Sequence, residues 1–207
     1  MSIDKKDVRV FIDGSNLYQG VKRCIGRYRI DIEGLAKKLC TPNRNLIGIH
    51  YYDAPYIKSI SPQDYYEQQR FFEYLNKNKN ISVTFGYHAI HPYRLNPTLY
   101  EKIKHVARKE DLEGPVEKSV DVALAVDMVS MAYEKQYGTA IIVSGDGDFV
   151  KAVEVVKRQK LRIQNAYFFN EERRGSSLKT ACDSFIPLTK NSLSSLLLDF
   201  SIPATKK

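Results

Sequence analysis

Short apolar runs alternate with helical patterns along most of this chain, and this alternation is the feature that most restricts its fold. The run TAIIVSG at 139–145 is continuously apolar at its centre, which is typical of a strand buried in a parallel sheet. Similar runs lie at 8–13, 46–54, 81–89 and 161–169. Because helical patterns separate these runs, the sequence predicts a three-layer α/β domain with a mostly parallel central sheet and helices on both faces.

The domain is predicted to span residues 1–188, followed by a C-terminal helix and tail at 189–207. The segment SVDVALAVDMVSMAYEKQ at 119–136 is apolar on nearly every side, so we expect a helix that packs on more than one face. Another helix is predicted at 191–200. Residues 90–117 are a variable insertion or edge element, and their pattern fits a short helix or an edge hairpin equally well.

Composition favours a polyanionic partner without proving one. The chain has 207 residues, a net charge of +8 and a pI of about 9.2. It contains no apolar stretch near the ~18 residues of a membrane span, so we expect no membrane partner. Three widely spaced cysteines without a CxxC motif predict reduced, buried thiols in a cytoplasmic protein.

Carboxylates follow the ends of predicted strands. Asp13 ends the first strand, Asp146 and Asp148 follow the fourth, and Asp121 lies near the start of the helix that leads into the fourth. Because ligands of open parallel sheets collect at the carboxyl ends of strands, we expect the four carboxylates to meet there. Their mutual repulsion requires cations, and oxygen ligands without Cys or His favour Mg²⁺ or Mn²⁺. Metal-activated water at such a site hydrolyses phosphodiesters.

Polar residues beside these acids are candidates for substrate contacts. Asn16 and Ser144 are predicted to hold a metal-bound water or a phosphate. Ser15 is also predicted to contact substrate, and Lys118, on or near the helical face of Asp121, is predicted to contact phosphate or pair with an acid. Asp127 lies about 120° around the helix from Asp121, which favours a buried structural hydrogen-bonding role.

Each acid also has a simpler interpretation. Asp13 fits a turn or a helix cap, Asp148 fits the N-cap of the helix that follows it, and Asp121 suits the positive end of a helix dipole. The joint arrangement distinguishes the two interpretations, because three separate segments deliver acids to one predicted end of the sheet.

Three motifs together resemble the NYN domain, in the LabA-like branch of the PIN-like nuclease superfamily. They are VFIDGSNLY at 10–18, KSVDVALAVDM at 118–128 and IIVSGDGDFVKAVEVVKRQ at 141–159, and CDSFIPL at 182–188 is similar to the closing segment of the family. The resemblance implies a Rossmann-like PIN fold with strand order 3-2-1-4-5 and a ribonuclease, in our interpretation an endoribonuclease, that depends on Mg²⁺ or Mn²⁺. Carried across by motif, the matched residues are Asp13, Asp121, Asp146 and Asp148 for the metal site, Asn16 for its polar partner and Lys118 for its lysine.

The basic run VKRCIGRYR at 21–29 is the best candidate for a phosphate track. It contains no acid and interleaves Tyr28, which suits base stacking on single-stranded or structured RNA. Its cations are Lys22, Arg23, Arg27 and Arg29.

Two functions from different classes therefore stay open. One is a metal-dependent ribonuclease, and the other is a regulatory protein that uses the same acidic pocket to bind RNA or protein. A nucleotide cofactor is not expected, because Val150 stands where a dinucleotide-binding motif needs its third glycine and no Walker A sequence is present. A homo-oligomer is possible.

Overall fold

The computed structural model describes residues 4–26, 28–92, 97–103, 105–106, 113–168 and 177–200. The strands are β1 Asp7–Asp13, β2 Arg29–Ile30, β3 Asn45–Asp53, β4 Ile81–Phe85, β5 Tyr87–Pro92, β6 Glu113–Lys118, β7 Thr139–Val143, β8 Arg162–Phe168, β9 Ser184–Leu188 and β10 Leu197–Leu198. The α-helices are α1 Gly14–Cys24, α2 Ile32–Leu39, α3 Pro62–Asn76, α4 Pro97–Ile103, α5 Val120–Tyr133, α6 Val150–Arg158, α7 Ser177–Ala181 and α8 Lys190–Leu193.

A central sheet of six parallel strands has the order β4-β3-β1-β7-β8-β9. This order confirms the predicted PIN-like arrangement 3-2-1-4-5 and adds β9 at one edge. Because β1 lies between β3 and β7, its carboxyl end adjoins the carboxyl ends of both neighbours. The acidic site is built at this end.

The two faces of the sheet carry separate hydrophobic cores, as the alternation of side chains along a strand requires. Val10 and Ile12 of β1 face the core that α1, α2 and α3 complete. Phe11 faces the opposite core, where α5 and α6 contribute Leu124 and Val153. The sheet is therefore covered on both sides, as predicted for a three-layer fold.

The third predicted strand, at 81–89, is two strands separated by Gly86. A Cβ atom at Gly86 would lie 2.4 Å from the carbonyl oxygen of Lys118, so only glycine lets the chain turn here. Beyond the turn, β5 pairs antiparallel with β6 in a ribbon outside the main sheet. Residues 90–117 thus contain both alternatives that the sequence left open, because α4 lies between the two ribbon strands.

The prediction of a single helix at 191–200 is wrong. The helix α8 ends at Leu193, a 3₁₀ turn covers Ser194–Leu196, and β10 then pairs with β2. Residues 201–207 of the predicted tail lie outside the described residues. The prediction of buried thiols holds for Cys182, whereas Cys24 is exposed.

Candidate functional site

Asp13 lies at the junction of β1 and α1 and caps the helix. Its Oδ1 accepts a hydrogen bond from the backbone N–H of Asn16, and its Oδ2 accepts one from the hydroxyl of Ser144, both at 2.9 Å. The side chain is 3 % exposed, and this burial raises the pKa of Asp13 to about 7 despite both hydrogen bonds. The charges of Asp121 and Glu117 contribute to this rise in the pKa. The cap interpretation of Asp13 is therefore correct, and the residue is also part of an acidic cluster.

Ser144 and Asn16 connect the start of α1 to the loop after β7. Ser144 is fully buried, and its Oγ accepts a hydrogen bond from the N–H of Asp146 at 3.0 Å. Asn16 accepts one from the N–H of Gly145, also at 3.0 Å. The prediction that Ser144 contacts substrate is wrong, because a buried hydroxyl that is engaged with Asp13 and Asp146 does not face solvent.

Asp121, Asp146 and Asp148 are close enough to act on one another. Asp121 lies in the first turn of α5, and its pKa is raised by burial and by the charges of Asp146 and Asp148. Asp146 caps a 3₁₀ turn at Gly147–Phe149 by accepting the N–H of Asp148 at 2.9 Å. Together with Asp13, the four predicted acids form one electrostatically coupled group at the carboxyl end of the sheet.

Glu117 is a fifth acid of this group that sequence reasoning missed. Burial, with the charges of Asp53 and Asp121, raises its pKa to about 7, while a hydrogen bond with the side chain of Ser15 favours its ionised form. Ser15 contacts this carboxyl group, and its contact with substrate stays a prediction. The sequence did not indicate a role for Glu117, because the pattern of residues 90–117 fits a helix and a hairpin equally well.

Asp53 is a sixth carboxylate, at the carboxyl end of β3. It accepts hydrogen bonds from the hydroxyl of Tyr51 at 3.0 Å and the N–H of Ala54 at 2.9 Å. Burial raises its pKa, and the charge of Arg29 opposes that rise. The predicted place of Arg29 in an exposed basic cluster is wrong: it is 7 % exposed, with its guanidinium 3.9 Å from the centre of the Tyr18 ring.

The remaining predicted residues occupy varied positions. Lys22 and Arg23 are exposed in the last turn of α1, and Arg27 lies outside the described residues. Lys118 is the last residue of β6, so its predicted place on the helical face of Asp121 is wrong. Asp127 accepts a 2.9 Å hydrogen bond from the hydroxyl of Tyr52, which confirms its predicted hydrogen-bonding role, but the residue is half-buried and not buried as expected.

The chemistry of the acidic cluster suits a hard divalent cation. Its donors are carboxylate oxygens, and burial together with the charges of neighbouring carboxylates raises the pKa values of Asp13, Glu117 and Asp121. Within the described residues, however, no group of three or more His, Cys, Asp or Glu side chains is placed to hold a metal ion. Ligation would therefore require rotation of carboxylates such as Asp121 and Asp146, which are partly exposed.

A separate groove of about 640 Å³ lies at the amino end of β3 and β4. Arg9 and His50 line it, with Nη1 of Arg9 placed 2.9 Å from Nε2 of His50. It does not include any member of the acidic cluster, which lies at the opposite end of these parallel strands.

A parallel sheet of this order, with acids gathered at its carboxyl end, defines the class of PIN-like α/β proteins. The NYN domain family matches residues 7–193, and the chain belongs to that family. NYN domains are members of a nuclease superfamily.

Comparison with solved structures supports the fold. The chain is similar to the crystal structure of VPA0982, a protein of unknown function from Vibrio parahaemolyticus RIMD 2210633. The two share 18 % sequence identity and a TM-score of 0.60, over 96 % of this chain and 100 % of the other. A search of curated proteins found no match. Among the described residues, no helix has the length and apolar character needed to cross a membrane.

Proposed function

We propose that this chain is a metal-dependent ribonuclease of the LabA-like branch that cleaves RNA internally. One observation carries the proposal: four separate segments deliver acids that act on one another at the carboxyl end of the sheet. Asp13 is coupled to Glu117 and Asp121, and Asp121 is coupled to Asp146 and Asp148. Membership in the NYN family supports the same conclusion.

Asp13, Asp121, Asp146 and Asp148 are the residues that would hold Mg²⁺ or Mn²⁺. When bound, the metal supplies activation of the attacking water and neutralises charge on the leaving oxygen. Two hydrogen bonds connect Asp13 and the start of α1 to the loop after β7: Ser144 donates to Asp13, and Asn16 accepts from the N–H of Gly145. Glu117, whose pKa burial raises to about 7, would accept a proton at its carboxylate.

RNA would approach along α1. This helix begins beside Asp13 and carries Lys22 and Arg23, both exposed, in its last turn. Lys22 lies about 12 Å along the helix axis from Gly14, so it would contact RNA at some distance from the acidic cluster. We expect the double variant Lys22→Glu/Arg23→Glu to raise KM with little change in kcat, because these residues would contact phosphates remote from the bond that breaks.

The alternative is a regulatory protein that binds RNA or protein through the same acidic pocket. One observation favours it: among the described residues the acids are not already placed as metal ligands. Such a protein would bind its partner without turnover, and binding would survive the loss of one carboxylate.

The test is a nuclease assay on a panel of RNA and DNA with Mg²⁺, Mn²⁺ or EDTA. Wild-type protein should cut RNA with either metal and lose activity in EDTA. Asp146→Asn should reduce kcat at least about 100-fold, whereas Asp199→Asn, which removes an exposed acid outside the cluster, should not. If highly purified wild-type protein cuts no nucleic acid while Asp146→Asn still binds RNA, the regulatory alternative is correct.

A further inference from the structure

Arg9 carries a positive charge with which no described acid pairs. It lies in β1 and lines the groove at the amino end of β3 and β4, where its side chain is partly exposed. Nε of Arg9 donates to the carbonyl oxygen of Gln136, and Nη1 lies 2.9 Å from Nε2 of His50. Asp127, an acid close enough to act on His50, instead accepts a hydrogen bond from the hydroxyl of Tyr52. Among the described residues Nη2 of Arg9 has no hydrogen-bond partner, so the guanidinium can still bind an anion.

The backbone of β3 departs from regular pairing beside this guanidinium. Val8 pairs with Leu46 whereas Arg9 pairs with Gly48, so Ile47 is an extra residue that forms a bulge. Bulges redirect side chains and are over-represented beside functional sites. A Cβ atom at Gly48 would lie 2.5 Å from Nη1 of Arg9, so any other residue would displace the guanidinium. The bulge and the glycine together let the guanidinium lie against the strand at the groove.

The charged residues that line the groove are mostly cations. The cations are Arg9, Lys37 and Lys79, and the acid is Glu33. Glu33 and Lys37 pair with each other at 2.7 Å, so their charges offset one another. Arg9 and Lys79 are then the cations that lack an acidic partner among the described residues, and together they favour a ligand with more than one negative charge.

We propose that this groove binds a small molecule that carries a phosphate monoester, with the phosphate on the guanidinium of Arg9. Arginine binds carboxylates and phosphates alike, but a phosphate monoester carries a charge of about −1.5 to −2 at pH 7 and suits two cations better. The groove of about 640 Å³ is larger than inorganic phosphate needs and lies in the ~300–1,000 Å³ range of small-molecule sites. Leu46 and Ile47, which also line it, would contact an apolar part of the ligand.

A purely structural role for Arg9 is the simpler interpretation. In that role the side chain would only connect β1 to Gln136 and His50. It would explain both contacts, but it would not require a groove beside the guanidinium or a second cation at Lys79. The two interpretations differ in whether the wild-type protein binds a phosphate monoester here. Because the groove lies at the end of the sheet opposite the acidic cluster, the proposal does not depend on ribonuclease activity.

Titration with phenyl phosphate, followed by the NMR signals of the backbone amides, tests the site. EDTA is present, and the pH is about 7.5, where the phosphate is mostly dianionic. The signals of Gly48, His50 and Ile81 should shift and reach saturation, whereas those of Gly145 and Asp146 at the other end of the sheet should not. Phenyl phosphate should bind more tightly than inorganic phosphate, which lacks the apolar ring, and more tightly than benzoate, which carries a single charge.

Two variants separate the position of the guanidinium from its charge. Gly48→Ala keeps every charge but displaces the guanidinium, so it should weaken the binding of phenyl phosphate at least about tenfold. Arg9→Gln should abolish the saturable shifts, whereas Arg158→Gln, which removes an exposed cation of α6, should bind like the wild type. Urea denaturation checks that each variant folds. The added methyl of Gly48→Ala meets the far end of a flexible side chain, so this variant keeps the test valid if Arg9→Gln does not fold.

Three results would overturn the proposal. The first is a wild-type protein whose Gly48 signal does not respond to phenyl phosphate or inorganic phosphate up to about 10 mM. The second is equal affinity for phenyl phosphate in the wild type and in folded Gly48→Ala. The third is a groove that responds to a short single-stranded RNA without terminal phosphates and not to phenyl phosphate, which would show that it binds the RNA backbone.

Discussion

The hydroxyl of Ser144 donates a 2.9 Å hydrogen bond to Oδ2 of Asp13, across the boundary between β7 and β1. The same oxygen of Ser144 accepts the N–H of Asp146. One buried side chain thereby sets the positions of two acids that are 133 residues apart in sequence, and it links the sheet core to the site.

The substitution Ser144→Ala should therefore destabilise the fold. It leaves a buried carboxylate oxygen and a backbone N–H without their partner, which costs about 1–3 kcal/mol. Urea denaturation measures the change, and Ser59→Ala, at an exposed serine, provides the matched control. Equal unfolding free energies for the two variants would contradict the role given to Ser144.

The sheet and four of its acids could be predicted from the sequence because both depend on local patterns. Continuous apolar runs identified β1, β3, β7 and β8. Asp13, Asp146 and Asp148 follow the ends of β1 and β7, and Asp121 lies in the first turn of the helix that precedes β7. The ribbon could not be predicted, because β5 and β6 pair across more than twenty residues and their sequences do not alternate clearly. Glu117 depends on that pairing, so it was missed with it.

The predictions that Arg29 and Ser144 contact substrate were wrong for a different reason. Their residue types are common in substrate contacts, and only tertiary packing decides whether such a side chain is exposed. Arg29 lies in β2 opposite Leu198 of β10, and its guanidinium packs over the ring of Tyr18. Ser144 directly follows β7, and every residue of β7 is buried.

Divalent metal should stabilise the protein more at pH 8 than at pH 5. Burial and mutual repulsion raise the pKa values of Asp13 and Glu117 to about 7, so the folded state holds extra protons between about pH 4 and 7. The unfolding free energy of the metal-free protein should consequently fall as pH rises through this range. Metal bound at 100 times its dissociation constant adds about 2.7 kcal/mol, or roughly 5–10 °C in Tm.

Differential scanning calorimetry with and without Mn²⁺ measures this effect. The variant Asp121→Asn removes a like charge, so at pH 8 its metal-free form should melt higher than the wild type, yet it should lose most of the Mn²⁺ shift. An equal Mn²⁺ shift in both proteins would show that Asp121 does not bind the metal.

The substitution Gly86→Ala should disturb both stability and the site. The added methyl would lie 2.4 Å from the carbonyl oxygen of Lys118 and 2.6 Å from Val120, so β6 must move. We expect a loss of about 1–3 kcal/mol in unfolding free energy. Because Glu117 lies on β6, we also expect a reduction of the ribonuclease activity that we propose. Hydrogen exchange of the ribbon amides reports the displacement. Unchanged exchange together with unchanged activity would contradict the expectation that Gly86 positions the ribbon and that the ribbon positions the site.

Acidification should destabilise the protein through His50. Burial and the charge of Arg9 lower the pKa of His50 to about 4, and its ring stacks on Phe11 with centroids 5.2 Å apart. Because the unfolded chain takes up this proton near pH 6.5, stability from neutral His50 is complete above that pH and is lost as pH falls toward 4.

Urea denaturation at pH 7.5 and 4.5 tests this contribution. The acidic cluster changes stability in the opposite direction over the same range, so the comparison is made between variants. Wild-type protein should lose about 1–2 kcal/mol more on acidification than His50→Gln, after allowance for solvent screening. His105→Gln, at an exposed histidine, should respond like the wild type. If His50→Gln shows the same pH dependence as the wild type, the buried ring does not titrate differently in the folded and unfolded states.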